Sequence, residues 1–125
     1  MFEAGVVARF DAQHVMHGME GPEGELHSHD YRLDITASRQ HLDDLGMVVD
    51  LDVLQAAVDD VVALVKGTNL DDVVTPRESE SVTVETLALW VHTEIARAIA
   101  GTGVEQLSVR AWETDEAFGG YAAAP

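Results

Sequence analysis

Leu26-His27-Ser28-His29-Asp30-Tyr31-Arg32-Leu33-Asp34-Ile35-Thr36 is the stretch on which the reading of this chain turns. Tyr31, Leu33 and Ile35 alternate with Arg32, Asp34 and Thr36, the period of two expected of a strand with one face buried. Residues two apart on a strand share a face, so His27 and His29 project together. Upstream, Glu3–Val15 interleaves Val7, Ala8 and Phe10 with polar positions and reads as a second strand, with His14 at its end. The intervening Met16–Glu25 (MHGMEGPEGE) holds three glycines and a proline and reads as a loop. Hairpin-like pairing across that loop brings His14 opposite the other two histidines.

Downstream, a polar link at Arg39–Asp44 leads to Leu45–Asp50 (LGMVVD), which reads as a short extended run. Leu51–Lys66 then sets Leu54, Val58, Val61 and Val65 on one helical stripe, and Gly67 stands where a left-handed C-cap is expected. Thr68–Ser81 is a long polar connection containing Pro76. A second helix is expected over Thr83–Ala100, with Val84, Leu87, Ala88, Val91, Ile95 and Ile99 as its stripe. Thr83 is its N-cap, and Gly101 and Gly103 stop it. Gln106–Glu113 returns to strand periodicity, and Gly119–Pro125 either adds a short edge strand or frays. Two helices with one apolar stripe each predict an α+β architecture, with both helices packed on one face of an antiparallel sheet.

With 125 residues and 46% hydrophobic content, residues 1–125 form one domain with a modest core. No apolar run approaches the roughly 18–20 residues that span a bilayer. Glu3 and Arg9 interrupt the start of the chain, so no signal peptide is expected, and the expected location is cytoplasmic. There is no cysteine, so a metal would be held by His, Asp or Glu. Asp and Glu number 23 against 7 Lys and Arg, a formal charge of -16, which disfavours nucleic-acid and anionic-membrane partners. Three neutral imidazoles without a thiol suit zinc with an open fourth position, the arrangement of catalytic sites.

Several motifs bear on function together. Phe10-Asp11-Ala12-Gln13-His14, Leu26-His27-Ser28-His29-Asp30-Tyr31, Gly46-Met47-Val48-Val49-Asp50 and Trp112-Glu113-Thr114 occur in the order and spacing of one family. Thr83-Val84-Glu85-Thr86-Leu87-Ala88 looks like the same family's helix start. The chain resembles, over nearly its whole length, the 6-pyruvoyltetrahydropterin synthase and 6-carboxytetrahydropterin synthase family. The resemblance implies a tunnelling fold that oligomerises into a barrel, as a homo-oligomer of three or six chains. It implies a zinc-dependent lyase or cyclase of small-molecule biosynthesis, acting on a pterin-like or other N–H-rich metabolite. It also implies His14, His27 and His29 as zinc ligands, with Glu113 and its neighbour Thr114 binding substrate through the pterin's N–H edge.

The pattern breaks at the proton relay. Glu23 stands where the family has its proton-shuttling cysteine, and Lys66 and Gly67 stand where it has an Asp-His pair. Glu23 is therefore the expected catalytic base, with Glu25 a second candidate of the wrong strand parity. Asp71, Asp72, His17 and His92 are possible partners, although His17 and His41 read as surface residues and His92 as a packed or exposed one. Some members that cleave the side chain of dihydroneopterin triphosphate to 6-hydroxymethyl-dihydropterin carry glutamate near this place. A non-catalytic zinc- or pterin-binding scaffold is the other alternative. Apart from Lys66 and Arg32, the segments near the histidines carry almost no positive charge, so the expected substrate bears little or no phosphate.

Overall fold

Alternation along the first two segments produces two long strands, β1 (Phe2–His14) and β2 (His27–Arg39). They pair antiparallel over their whole length, from Phe2↔Arg39 to His14↔His27. The structure is a computed structural model describing residues 1–125. Then come helices α1 (Leu51–Val65), α2 (Leu70–Val73) and α3 (Val84–Ile99), and strands β3 (Gln106–Trp112) and β4 (Phe118–Ala123). The four strands form one antiparallel sheet in chain order. The C-terminal tail thus adds an edge strand.

Both apolar stripes are used as expected. Leu54, Val58, Val61 and Val65 of α1 and Leu87, Val91, Ile95 and Ile99 of α3 are buried. They share one core with Phe10, Tyr31, Leu33, Ile35, Leu107 and Val109 from the inner face of the sheet. Helix α1 lies over β1, α3 lies over β3 and β4, and the two helices touch each other. Asp50 caps α1 by accepting from the Asp52 N–H at 2.9 Å, and Thr83 and Thr86 form a capping box at the start of α3.

Two local details differ from the sequence reading. Leu45–Asp50 is not a strand. The Asp43 carboxylate accepts from the N–H groups of Leu45 and Met47, both at 2.9 Å, and Gly46 takes a φ of 78°, so a side-chain-closed turn displaces the extended form. Val48 and Val49 nevertheless reach the core. The polar connection after α1 contains the one-turn helix α2, capped by the Asn69 side chain.

The end of β1 is pinned from outside. Gly67, at φ 70°, donates its N–H to the Asp11 carbonyl at 2.7 Å, and the Gln13 N–H donates to Thr68 O at 2.8 Å. The left-handed glycine that ends α1 thereby turns the chain onto the β1 edge beside His14. No helix is long and apolar enough to cross a membrane.

The core should dominate stability. Leu33, fully buried, is expected to lose about 2–5 kcal/mol on Leu33→Ala. Leu45, 80% exposed, should change stability by less than about 0.5 kcal/mol on Leu45→Ala. Urea denaturation midpoints of the two variants check this contrast.

Candidate metal centre

The inner face of the sheet runs apolar through Phe10 and Ala12 on β1 and through Ile35, Leu33 and Tyr31 on β2. Continuing that row by steps of two reaches His14 on β1, and His29 then His27 on β2. The register sets Ala12 opposite His29 and His14 opposite His27, so the three rings meet at the end of the hairpin. Their centroids lie 4.4 Å apart for His14–His27, 5.0 Å for His14–His29 and 4.9 Å for His27–His29. One nitrogen from each ring lies within 4.8 Å of the other two, close enough for the set to hold a metal ion.

The hydrogen bonds decide which nitrogens are free. His14 Nδ1 lies 2.9 Å from Val82 O, and His27 Nδ1 lies 2.8 Å from Glu25 O. A carbonyl only accepts, so each Nδ1 carries a hydrogen, and Nε2 is the nitrogen that offers a lone pair in that tautomer. His14 is 2% exposed, and its Nε2 is buried without any hydrogen-bond partner. An unpaired buried acceptor costs about 1–3 kcal/mol, and a cation shared with the other rings relieves it. The residues therefore fit the group that the sequence reading called for. The pKa of His29 is lowered, first by burial and next by the charge of His14, against the opposing pull of Glu113. Lowering keeps the ring neutral and able to donate its lone pair.

Tyr31 forms the floor. It stacks on Phe10 at 5.3 Å and presents edges to His29 at 5.6 Å and His14 at 6.3 Å. Burial, then the Glu113 carboxylate, push its hydroxyl pKa well above the usual phenol value, so it stays uncharged.

A hollow of about 260 Å³ opens over the imidazoles, with Glu23, Glu85 and Glu113 on its walls. Glu23 comes from a 3-10 turn at Pro22–Gly24, whose fold-back is closed by the Met16 N–H donating to Glu23 O at 2.9 Å. Glu113 follows β3 by one residue. The pairing Arg32↔Trp112 sets it alongside Tyr31, with a carboxylate oxygen 3.9 Å from His29 Nε2. Glu85 was not singled out as a site residue by sequence reasoning; it enters through the first turn of α3, whose start also supplies Thr83 and Val84. Its signal in the sequence is the Thr83–Ala88 stretch, which resembles the family's helix start and carries the Thr83 cap but assigns Glu85 no role.

Other candidates lie elsewhere. Thr114 is exposed in the β3–β4 turn, where its hydroxyl takes the Glu116 N–H at 3.3 Å, and it does not line the hollow. Glu25 serves His27 through its carbonyl, with its residue exposed. Lys66 lines a separate surface hollow with Arg9 and Asp11. His92 is packed, 5% exposed, against Tyr121 and the Ala123 carbonyl, while Asp72 and His41 are exposed. His17 departs from a plain surface role: its Nε2 lies 2.7 Å from an Asp71 carboxylate oxygen.

Comparison with known proteins gives these geometries a context. The model of the family described as 6-pyruvoyl tetrahydropterin synthase matches residues 4–124. The chain belongs to that family. The 6-pyruvoyl tetrahydropterin synthase of Caenorhabditis elegans superposes with a TM-score of 0.74 at 20% identity, covering 99% of this chain and 95% of that one. The Plasmodium vivax synthase, solved with a catalytic glutamate replaced by alanine, gives 0.75 at 13% identity and covers both chains fully. An uncharacterized protein of Wolinella succinogenes gives 0.66 at 17% identity, covering 99% of each chain. No curated protein matches. At these identities the structural likeness establishes the fold, and the four-stranded sheet with its helices on one face is the synthase family's tunnelling fold.

Packing at the rim gives a test. A Cβ on Gly119 would lie 2.6 Å from Glu85 Oε1, 2.7 Å from Val84 Cγ2 and 2.9 Å from the Glu85 nitrogen. Gly119→Ala must therefore move the start of α3 together with Glu85. The expected cost is about 1–3 kcal/mol, read from thermal denaturation.

Proposed function

We propose that this chain is a zinc-dependent lyase of the pterin synthase type, acting on a small N–H-rich substrate that carries little phosphate. The observation that carries the reading is the orphaned, buried Nε2 of His14 gathered with two other imidazoles beneath a rim of carboxylates. His14, His27 and His29 hold the ion, and three protein ligands leave a position for substrate. Zinc, when bound, supplies Lewis-acid chemistry: it polarises a substrate hydroxyl or carbonyl and makes the neighbouring C–H and O–H bonds more acidic.

Glu23 takes the proton. Its carboxylate stands on the wall of the hollow, on an exposed turn where it can exchange that proton with solvent. A catalytic glutamate in the Plasmodium vivax relative is consistent with this choice of residue. Glu113 holds the amidine-like N–H edge of the substrate, since a carboxylate offers two acceptors to two parallel donors. Glu85, across the same hollow, supplies further acceptors. Thr114, adjoining Glu113, would join substrate binding only through a change in the β3–β4 turn.

No Lys or Arg lines the hollow, while three glutamates do. A triphosphate placed there would meet the glutamates with no Lys or Arg to pair it, which favours a substrate carrying little phosphate. The glutamate at position 23 also favours a second reading, cleavage of the dihydroneopterin triphosphate side chain to 6-hydroxymethyl-dihydropterin. The acidic rim argues against it. The outer edges of the sheet, β4 and the part of β1 before Asp11, carry no further strand within one chain, and Phe2, Val7, Phe118 and Tyr121 are exposed there. These features support assembly into a trimer or a pair of trimers.

Protein purified without chelators should contain about one zinc per chain by elemental analysis, and His14→Ala should lose it. Absence of stoichiometric metal from the wild type would sink the reading. Glu23→Gln should retain zinc yet lower kcat with the pterin-like substrate by about 10²–10⁴-fold. Titration with dihydroneopterin triphosphate should show binding far weaker than with its dephosphorylated counterpart; the reverse order would favour the cleavage reading.

A further inference from the structure

Asp71 and His17 lie outside the hollow, yet they join the two segments that shape it. The carbonyl of Val82 fixes the His14 ring through Nδ1 at 2.9 Å. Val82 ends a segment, residues 74–82, that has no helix or strand of its own. Arg77 holds that segment against α2: one guanidinium nitrogen donates to Asp71 O and Val74 O, both at 3.0 Å, and Nε donates to Glu80 O at 3.2 Å. The Asp71 carboxylate stands 3.8 Å from Arg77 by one oxygen and 2.7 Å from His17 Nε2 by the other. From the opposite side, the His17 N–H donates to Ser81 Oγ at 2.8 Å. His17 directly follows Met16, whose N–H is bound to the Glu23 carbonyl.

One carboxylate thus ties the loop carrying Glu23 to the segment carrying Val82. We infer that Asp71, bridging His17 and Arg77, is a positioning residue that clasps these two segments and so sets the orientation of the His14 ring and the placement of Glu23. Asp71 is four-fifths or more buried in its side chain, with 16% of it exposed, and one of its oxygens has no hydrogen bond. A carboxylate retained there at the cost of incomplete satisfaction is held by its two cationic or N–H-bearing neighbours. Ligands to a metal depend on such outer partners, because a histidine ring free to rotate pays to be reoriented on binding. Neither Asp71 nor His17 touches the substrate space. Their influence runs through the backbone that they connect.

This inference rests on the zinc reading of the three histidines, and the test separates the two. Zinc affinity is measured by chelator competition on the full chain, and the protein is also loaded with Co(II), whose visible absorption reports ligand geometry. Asp71→Ala and His17→Ala should each weaken zinc about 10–100-fold or shift the Co(II) bands, with Asp71→Ala the larger effect. Asp71→Asn, which keeps an acceptor oxygen for a hydrogen on the His17 ring Nε2, should recover most of the wild-type affinity and spectrum. Far-UV circular dichroism verifies folding, and if Asp71→Ala fails to fold, His17→Ala carries the test. Wild-type affinity and an unchanged Co(II) spectrum in folded Asp71→Ala and His17→Ala would overturn the clasp and leave the zinc reading standing. A wild type that binds neither metal would overturn both.

Discussion

The register between β1 and β2 is the constraint on which the rest of the structure depends. Thirteen residue pairs run from Phe2↔Arg39 to His14↔His27, and the side-chain period of a strand is two. In this register Phe10 meets Tyr31 on the covered face, and two steps later Ala12 meets His29 and His14 meets His27. A slip of one residue would carry every side chain of β1 to the opposite face, so the same error would expose Phe10 and send His14 away from its partners. The core thereby protects the site. Burial of Phe10, Tyr31, Leu33 and Ile35 under the helices goes with the register that also gathers the three imidazoles.

The site is a polar continuation of the core. The inner face is apolar where α1 and α3 cover it and turns to imidazole where their cover ends. Tyr31 marks the boundary, stacked on the core through Phe10 and edge-on to two of the histidines. Past that boundary buried polar atoms must find partners, and the backbone supplies them: Val82 O for His14, Glu25 O for His27. The remaining ring nitrogens lie close enough together to hold a cation. Carboxylates of Glu23, Glu85 and Glu113, reaching in from a loop, a helix start and a strand end, give the space above an acidic rim.

The two helices, the two long strands, the late strand and the convergence of His14, His27 and His29 were all legible from periodicity and spacing. Where the reading failed, side chains acting locally or at long range had taken over. Asp43 closed LGMVVD into a turn against its apolar, β-branched composition. Glu85 sits in an ordinary helix start, 56 positions from His29 in the chain by the difference of their numbers, and nothing local aims it at an imidazole. His17 and Asp71 are separated by 54 positions, and their pairing follows from the docking of the 74–82 segment beside the end of β1.

Alternation and amphipathic stripes determined, from the amino-acid order alone, which residues face inward and hence that three histidines share one face. Those are properties of neighbours along a chain, set by backbone geometry with periods of 2 and 3.6. Only the tertiary structure decided which nitrogens of His14 and His27 are bound to backbone, that Glu85 joins Glu23 and Glu113 over the rings, and which distant loop is tied to which. Those depend on contacts between segments far apart in sequence, where burial and hydrogen-bond satisfaction of the whole molecule, rather than any local preference, select the partner.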